Sequence, residues 1–265
     1  MRTGVSTGCL YPALTEESVE TLCGLGFRTL EIFFNTFSEL EPAYLERLKT
    51  RLNHYGARVS SLHPFTSSYE SFLLFSAYER RFEDGVRFYE RYFRTAARLG
   101  ADKVVLHGQQ RAFSGAVDRQ EYCRRFALLS RQAAVYGVTL LQENVRSFRC
   151  NDPDMVRSMR NAIPKEARFV LDTKQALMEG IGPVEMLRAM GPALRHVHIS
   201  GFDASGACVL PHREKASLLP LFQALREMQY RGDIMIEVYR HSYDRPEELR
   251  EAGTWLADML GETFP

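Results

Sequence analysis

A chain of 265 residues, 45% hydrophobic and 25% charged, has the make-up of a globular protein with room for one large core, which excludes a disordered or fibrous chain. Lys plus Arg number 34 against 33 Asp plus Glu, so the net charge of +1 gives no global reason to expect nucleic acid or an anionic membrane as partner. Five scattered cysteines without a Cys-x-x-Cys pair read as reduced thiols, and no apolar run reaches the length of a signal segment or a membrane span, so a cytoplasmic protein is expected.

Gly4 to Gly8 reads as a first short strand. Thr15 is placed as the N-cap of a helix ending near Gly24 to Gly26, and Arg28 to Phe33 is the second strand. Pro42 lies in the first turn of the next helix, whose Leu45, Leu48 and Leu52 keep helical spacing, and Val59 to His63 follows as the third strand. An insertion from Phe65 to Ala77 is long enough either to cover a pocket as a lid or to meet a partner subunit in a homo-oligomer. A helix through Phe82, Tyr89 and Phe93, read as core packing, leads to the fourth strand, Lys103 to His107. The helix from Val117 to Tyr136 precedes the fifth strand, which ends at Glu143. Asp152-Pro153 opens another helix as cap and first residue. The remaining strands are Arg168 to Asp172, Arg195 to Ser200 and Asp233 to Val238, with helices opening at Pro183, Leu218 and Pro246.

Strand and helix alternate at about 30 residues per unit, the size of a βα repeat. Strict alternation implies a parallel sheet with right-handed crossovers. Eight units suggest closure into a single-domain (β/α)₈ TIM barrel over residues 1–265. An open doubly wound sheet lacks support, because no strand leads into a Gly-x-Gly-x-x-Gly turn.

The strands share a second feature. Each of six ends in a side chain able to bind metal: His63, His107, Glu143, Asp172, His198 and Glu237. Barrel chemistry sits at the C-terminal strand ends. By two-residue alternation Glu143 shares a face with Leu141, Asp172 with Val170 and Glu237 with Met235, so inward faces would bring the tips together. Clustered carboxylates repel unless protons or a cation neutralise them, which implies a divalent metal. A carboxylate-rich set suits Mn²⁺, Mg²⁺ or Co²⁺, and added imidazoles move the preference toward Zn²⁺ or Fe²⁺. His196, two residues before His198 on the same face, reads as a satisfied core histidine, Cys9 as a buried thiol near the first strand tip, and His54 and His241 receive no role.

The ordered motifs His63-Pro64-Phe65, Val105-Leu106-His107-Gly108, Glu143-Asn144, Leu171-Asp172-Thr173, His196-Val197-His198 and Ile236-Glu237 span almost the whole chain. Their order resembles the xylose isomerase-like barrel superfamily, which includes sugar isomerases and epimerases and the endonuclease IV type of DNA-repair enzyme (AP endonuclease family 2). The resemblance to the ketose 3-epimerase branch implies one metal held by Glu143, Asp172, His198 and Glu237. Resemblance to the endonuclease branch implies a second metal on His63 and His107, bridged by Glu143. That branch has a His three residues after its sixth-strand Asp, where this chain has Gln175. It also has an Asp two residues before a late His; His212 matches the His, but Leu210 stands in place of the Asp. The branch's third metal is therefore expected to be absent, and DNA becomes an unlikely substrate. An Asp common three residues after the seventh-strand His is here Gly201.

The leading expectation is a carbohydrate-metabolism enzyme: an isomerase or epimerase acting on a sugar or sugar phosphate. One or two divalent metals per chain (Mn²⁺, Zn²⁺, Co²⁺ or Mg²⁺) assist, while Glu143 and Glu237 pass a proton through an enediolate from opposite sides of the substrate. Arg146, Lys174, Arg213 and Arg240 fall in loops on that face; Lys174, Arg146, His212 and Arg240 are candidate substrate contacts, Lys174 foremost as an anion clamp. The alternative is a two-metal phosphoester hydrolase using His63 and His107. A non-catalytic metal- or sugar-binding barrel ranks third.

Overall fold

The computed structural model describes residues 1–261. Parallel strands β1 (Arg2–Ser6), β2 (Thr29–Phe33), β3 (Arg58–His63), β4 (Lys103–Leu106), β5 (Thr139–Glu143), β6 (Phe169–Asp172) and β7 (Leu194–Ile199) run in sequence around a barrel. A two-stranded antiparallel ribbon, β8 (Gly201–Phe202) and β9 (Cys208–Val209), interrupts the series, and β10 (Asp233–Ile236) then closes the barrel between β7 and β1. Helices cover the outside, as the βα alternation predicts. The architecture is a (β/α)₈ TIM barrel. Among the described residues no helix is long and apolar enough to cross a membrane.

Alternation along each strand decides which side chains face the barrel axis. Outward-facing Val104, Leu106, Leu140, Phe169, Leu171, Val197, Ile199, Ile234 and Ile236 join the helices in one large apolar core. Inward-facing Val105, Leu141 and Val170 form a separate small apolar cluster inside the barrel. Beside that cluster the interior is polar: Glu31, Ser61, His196 and His198 are all buried. The barrel is narrow at Gly4, where a Cβ would lie 2.5 Å from Met235 Sδ and 2.4 Å from the Thr29 carbonyl, so only glycine fits.

The elements differ from the sequence reading in a few places, each for a local reason. Thr15 is the first residue of helix Thr15–Gly24, not its cap, because its hydroxyl donates instead to Glu39 Oε1 at 2.9 Å. Asp152 caps helix Pro153–Ala162 as expected, accepting from the Asp154 N–H at 2.9 Å. Lys174 lies in a short helix, Thr173–Leu177, that starts directly off β6, not in a loop. The Phe65 to Ala77 insertion contains helix Ser67–Leu73 and packs inward: Glu70, Ser71, Leu74 and Phe75 are buried, while Tyr69 and Phe72 are exposed. The Tyr89 hydroxyl donates to Glu70 Oε1 at 2.6 Å, and the Gly108 N–H donates to Glu70 Oε2, tying the insertion to the loop after β4.

Candidate metal centre at the barrel mouth

The C-terminal strand ends deliver the six side chains of the sequence analysis to one place. Glu143 ends β5, Asp172 ends β6, His198 lies near the end of β7, and Glu237 follows β10 with its N–H donating to the Ile199 carbonyl at 3.1 Å. Glu143, Asp172, His198 and Glu237 each offer one ligand atom, all within 4.8 Å of one another. His198 Nδ1 stands at the centre, 2.8 Å from Glu143 Oε1, 2.9 Å from Glu237 Oε2 and 3.9 Å from Asp172 Oδ2. His63, His107 and Glu143 form a second such group. His107 Nε2 lies 3.0 Å and His63 Nε2 3.6 Å from Glu143 Oε2.

Backbone and amide contacts hold these tips. The Asn144 side chain bridges β5 to β6, accepting from the Asp172 N–H at 2.8 Å and donating to its carbonyl at 3.0 Å. Gln142 Nε2 donates to the His107 carbonyl at 2.9 Å and the Leu106 carbonyl at 3.2 Å, while its Oε1 accepts from the Tyr122 hydroxyl at 2.5 Å. Gly108, with φ +88°, permits this closeness, since a Cβ there would meet the Tyr122 hydroxyl at 2.2 Å. Asp172 Oδ1 is occupied in capping its own short helix, accepting from the Gln175 N–H at 2.9 Å, so Oδ2 alone faces the cluster.

Charge is concentrated here in buried side chains. Burial pushes the Glu143 carboxyl up, but His198, His107 and His63 together hold it well below the usual range. Burial acts on Glu237 in the same way and is overcome by Lys174 and His198. Asp172 is pushed up to about 7 by burial and by the Glu237 and Glu143 charges, with Lys174 pulling the other way. Burial lowers the His198 imidazole, yet Glu31, Glu237 and Glu143 raise it well above its ordinary value. The Lys174 ammonium, also disfavoured by burial, is held strongly protonated by Asp172 and Glu237.

The donor set fits a divalent cation. Glu143 Oε2 is buried with no hydrogen-bond partner among the described residues. His63 Nδ1 lies 3.2 Å from the Pro64 carbonyl, which can only accept, so in the neutral ring the lone pair is on Nε2 and points at Glu143 and His107. Lys174 offsets part of the charge on Asp172 and Glu237, and a metal would supply the electropositive partner that Glu143 Oε2 still lacks.

Lys174 Nζ contacts Asp172 Oδ2 and lies 2.9 Å from Glu237 Oε2. It also faces a cavity of 410 Å³ lined by Gly8, Tyr11, Phe33, Asn35, Phe65, Glu237 and Tyr239. A larger cavity of 740 Å³ opens at the opposite end of the barrel among Arg58, Lys103, Arg195 and Asp233 and contains none of the cluster residues. The chemistry belongs with the smaller one.

The other sequence-derived candidates lie apart. Arg146 is exposed, and its N–H donates to Gln175 Oε1 at 2.9 Å. Arg240 caps its own loop, donating to the Tyr243 carbonyl at 2.9 Å and the Asp244 carbonyl at 3.2 Å. Arg213 pairs with Glu248, and His212 faces Glu251 on the final helix at 3.9 Å. Cys9 is fully buried, donating to the Ile236 carbonyl at 3.4 Å, and burial pushes its thiol up to about 12.

Sequence reasoning missed Glu31. It sits in mid-β2, fully buried, with Oε2 3.0 Å from His198 Nε2 and 3.4 Å from His196 Nε2. An acid between Leu30 and Ile32, on the inward parity of an otherwise apolar strand, was the available signal.

Residues 20–259 match the family described as xylose isomerase-like TIM barrel. The chain belongs to that family. An uncharacterized protein of Mycobacterium leprae (strain TN) is 25% identical, the match covering 98% of this chain and 95% of that protein. Among solved structures of this xylose isomerase-like fold, D-psicose 3-epimerase determined in the presence of D-fructose superposes with a TM-score of 0.76 at 18% identity, covering 98% of this chain and all 100% of that one. The 3-keto-D-glucoside 4-epimerase of E. coli gives a TM-score of 0.74 at 19% identity, covering 97% of this chain and 99% of that one.

Proposed function

We propose that this protein is a divalent-metal-dependent sugar isomerase or epimerase. The observation that carries the reading is the convergence of Glu143, Asp172, His198 and Glu237 beneath an aromatic-lined cavity at the barrel mouth. Structural neighbours that act as sugar 3- and 4-epimerases support it. The four residues would hold the cation, which when bound supplies Lewis acidity that makes the C–H beside a sugar carbonyl easier to ionise.

The rest falls to the chain itself. Glu143 and Glu237 flank the site, with β6 and β7 between their strands. One removes the proton from the carbon next to the carbonyl and the other returns one, from the opposite face in an epimerase. Lys174, protonated and turned to both Glu237 and the cavity, stabilises negative charge growing on a substrate oxygen. Tyr11, Phe33, Phe65 and Tyr239 offer apolar surface to the sugar ring or chain and exclude water. Among the described residues Lys174 is the one cation lining that cavity and is already paired, which supports an uncharged sugar over a sugar phosphate.

The test is solvent-proton exchange. Ketoses and aldoses incubated in D₂O with Mn²⁺, Co²⁺, Mg²⁺ or Zn²⁺ are expected to take up deuterium beside the carbonyl, read by NMR. Glu143→Gln should lower the rate by about 10³-fold, in the range of a lost general base, with the fold intact by circular dichroism. A Glu143→Gln rate equal to wild type would remove Glu143 from the mechanism. No exchange with any sugar and metal would sink the reading.

A second reading has its own support. The His63–His107–Glu143 group suits a second cation, and two cations suit phosphoester hydrolysis. Release of p-nitrophenol from bis-p-nitrophenyl phosphate, together with absent sugar exchange, would favour it.

A further inference from the structure

We infer that Glu31 is a positioning residue that fixes the ring and proton of His198, so that Nδ1 is turned to the ligand cluster. The inference rests on the metal reading above.

Glu31 is fully buried in the middle of β2. Its Oε2 lies 3.0 Å from His198 Nε2 and accepts from the Ser61 hydroxyl at 2.8 Å. The opposite edge of the same imidazole, Nδ1, meets Glu143 Oε1 at 2.8 Å and Glu237 Oε2 at 2.9 Å. An ionised carboxylate can only accept, so Nε2 must carry a proton toward Glu31. Without a cation Nδ1 donates as well, to Glu143 or Glu237; when a cation takes Nδ1 the proton on Nε2 stays toward Glu31 and the Nδ1 lone pair faces the cluster. Carboxylate, imidazole and cation in line is the arrangement by which outer partners orient metal-binding histidines and raise their basicity.

A purely structural role explains the residue poorly. Its ion pairs run only to His196 and His198 among the described residues, with no Lys or Arg in reach, and Oε1 has no hydrogen-bond partner. Carrying an acid into a barrel interior with one oxygen unpartnered weakens a fold that an apolar side chain would fill at no such cost. Leu141 and Val170 fill the interior that way on the far side. What Glu31 adds is direction for His198.

The experiment compares wild type with Glu31→Gln, which keeps an acceptor without the charge, and Glu31→Leu, which keeps neither. Mn²⁺ affinity is measured by calorimetry and metal-free stability by thermal melting. The protonated ring nitrogen of His198 is read by ¹⁵N NMR in the metal-free and Zn²⁺-loaded proteins. Mn²⁺ binding is expected to weaken about 10- to 100-fold in Glu31→Leu and less in Glu31→Gln, and Glu31→Gln, which keeps an acceptor for Ser61 and His198, is expected to melt close to wild type. Zn²⁺-loaded wild type is expected to carry the His198 proton on Nε2. Unchanged Mn²⁺ affinity in both variants, or a proton on Nδ1 of the Zn²⁺-loaded protein, overturns the inference, and so does a fall in melting temperature with affinity unchanged. If Glu31→Leu fails to fold, Glu31→Gln decides. If wild type binds no cation, the metal reading fails by itself. The metal-free spectra then decide on Glu31: loss of the protected Nε2 proton in Glu31→Leu supports its hold on the ring, and persistence overturns it.

Discussion

The Nε2 atoms of His63 and His107 face each other at 3.0 Å, with Glu143 Oε2 3.0 Å from the His107 nitrogen. Two imidazole nitrogens meet this closely with ease only when a proton or a cation lies between them and their neighbours. Two candidate ligand groups share Glu143. Titration with Zn²⁺, followed by elemental mass spectrometry after desalting, is expected to give one ion per chain; two in wild type falling to one in His107→Ala would place a second cation on the histidine pair and favour phosphoester hydrolysis. A wild-type value of one, unchanged in His107→Ala, would show that the histidine pair serves substrate and not a second ion.

Asp172 gives the metal affinity a pH dependence. Its carboxyl is pushed up to about 7 by burial and by Glu237 and Glu143. A cation needs that carboxylate ionised, so below pH 7 a proton competes for the same oxygen. As pH drops below 7, Asp172 should add about tenfold per pH unit to the fall in apparent Mn²⁺ affinity, on top of the proton that His198 Nδ1 must lose to bind. Asp172→Asn should bind weakly and lose the Asp172 part of this dependence. A flat profile for wild type between pH 5 and 8 would place the competing proton elsewhere.

At the end of the barrel away from the cluster Asp233 gathers β10, β3 and β4. Its Oδ2 accepts from the Ser60 hydroxyl at 2.5 Å, lies 2.7 Å from Arg58 Nη2 and 3.6 Å from Lys103 Nζ. Burial would raise this carboxyl, but Ser60, Lys103 and Arg58 hold it below its ordinary value. A carboxyl lowered on folding stabilises above its unfolded pKa of about 4, and that contribution is lost as pH falls through the lowered value. Asp233→Asn should therefore cost about 2 kcal/mol in urea unfolding at pH 7, less than for a fully buried pair because the Arg58 side chain is 35% exposed. The gap should close in acid. A neutral-pH loss below about 1 kcal/mol would mean that Ser60 and the two cations find other partners.

How much of this was legible in the sequence follows from what each residue needed. Glu143, Asp172 and Glu237 could be found because a charged residue ending a short apolar strand breaks the pattern where a barrel places chemistry. His63 and His107 stood out for the same reason. Glu31 did not, because it sits in mid-strand, where an acid reads as an exception, and its meaning comes from His198, distant in sequence and adjacent in space. Lys174 was visible as a residue near a ligand, but its contacts with Asp172 and Glu237 depend on the short helix that starts directly off β6. Arg240 looked like a clamp, and the turn it closes on itself, through the Tyr243 and Asp244 carbonyls, is local geometry that residue type does not encode. The ribbon of β8 and β9 lay in a stretch without alternation, so nothing marked it as paired.

Helix Ser67–Leu73 anchors the loops after β3 and β4 to each other through Glu70 and Gly108, and the 410 Å³ cavity opens on the other side, over β1, β2 and β10. The site thus has a doorway and a back wall. Glu237, its side chain 14% exposed, stands at the threshold, and Glu143, at 3%, stands against the wall. On the proposed reading a sugar entering here would meet Glu237 before Glu143. Tyr11 and Tyr239 frame the entrance, while Phe33 reaches inward to stack on His63 with ring centroids 4.5 Å apart, so a change at Phe33 is felt at the wall as well as at the door.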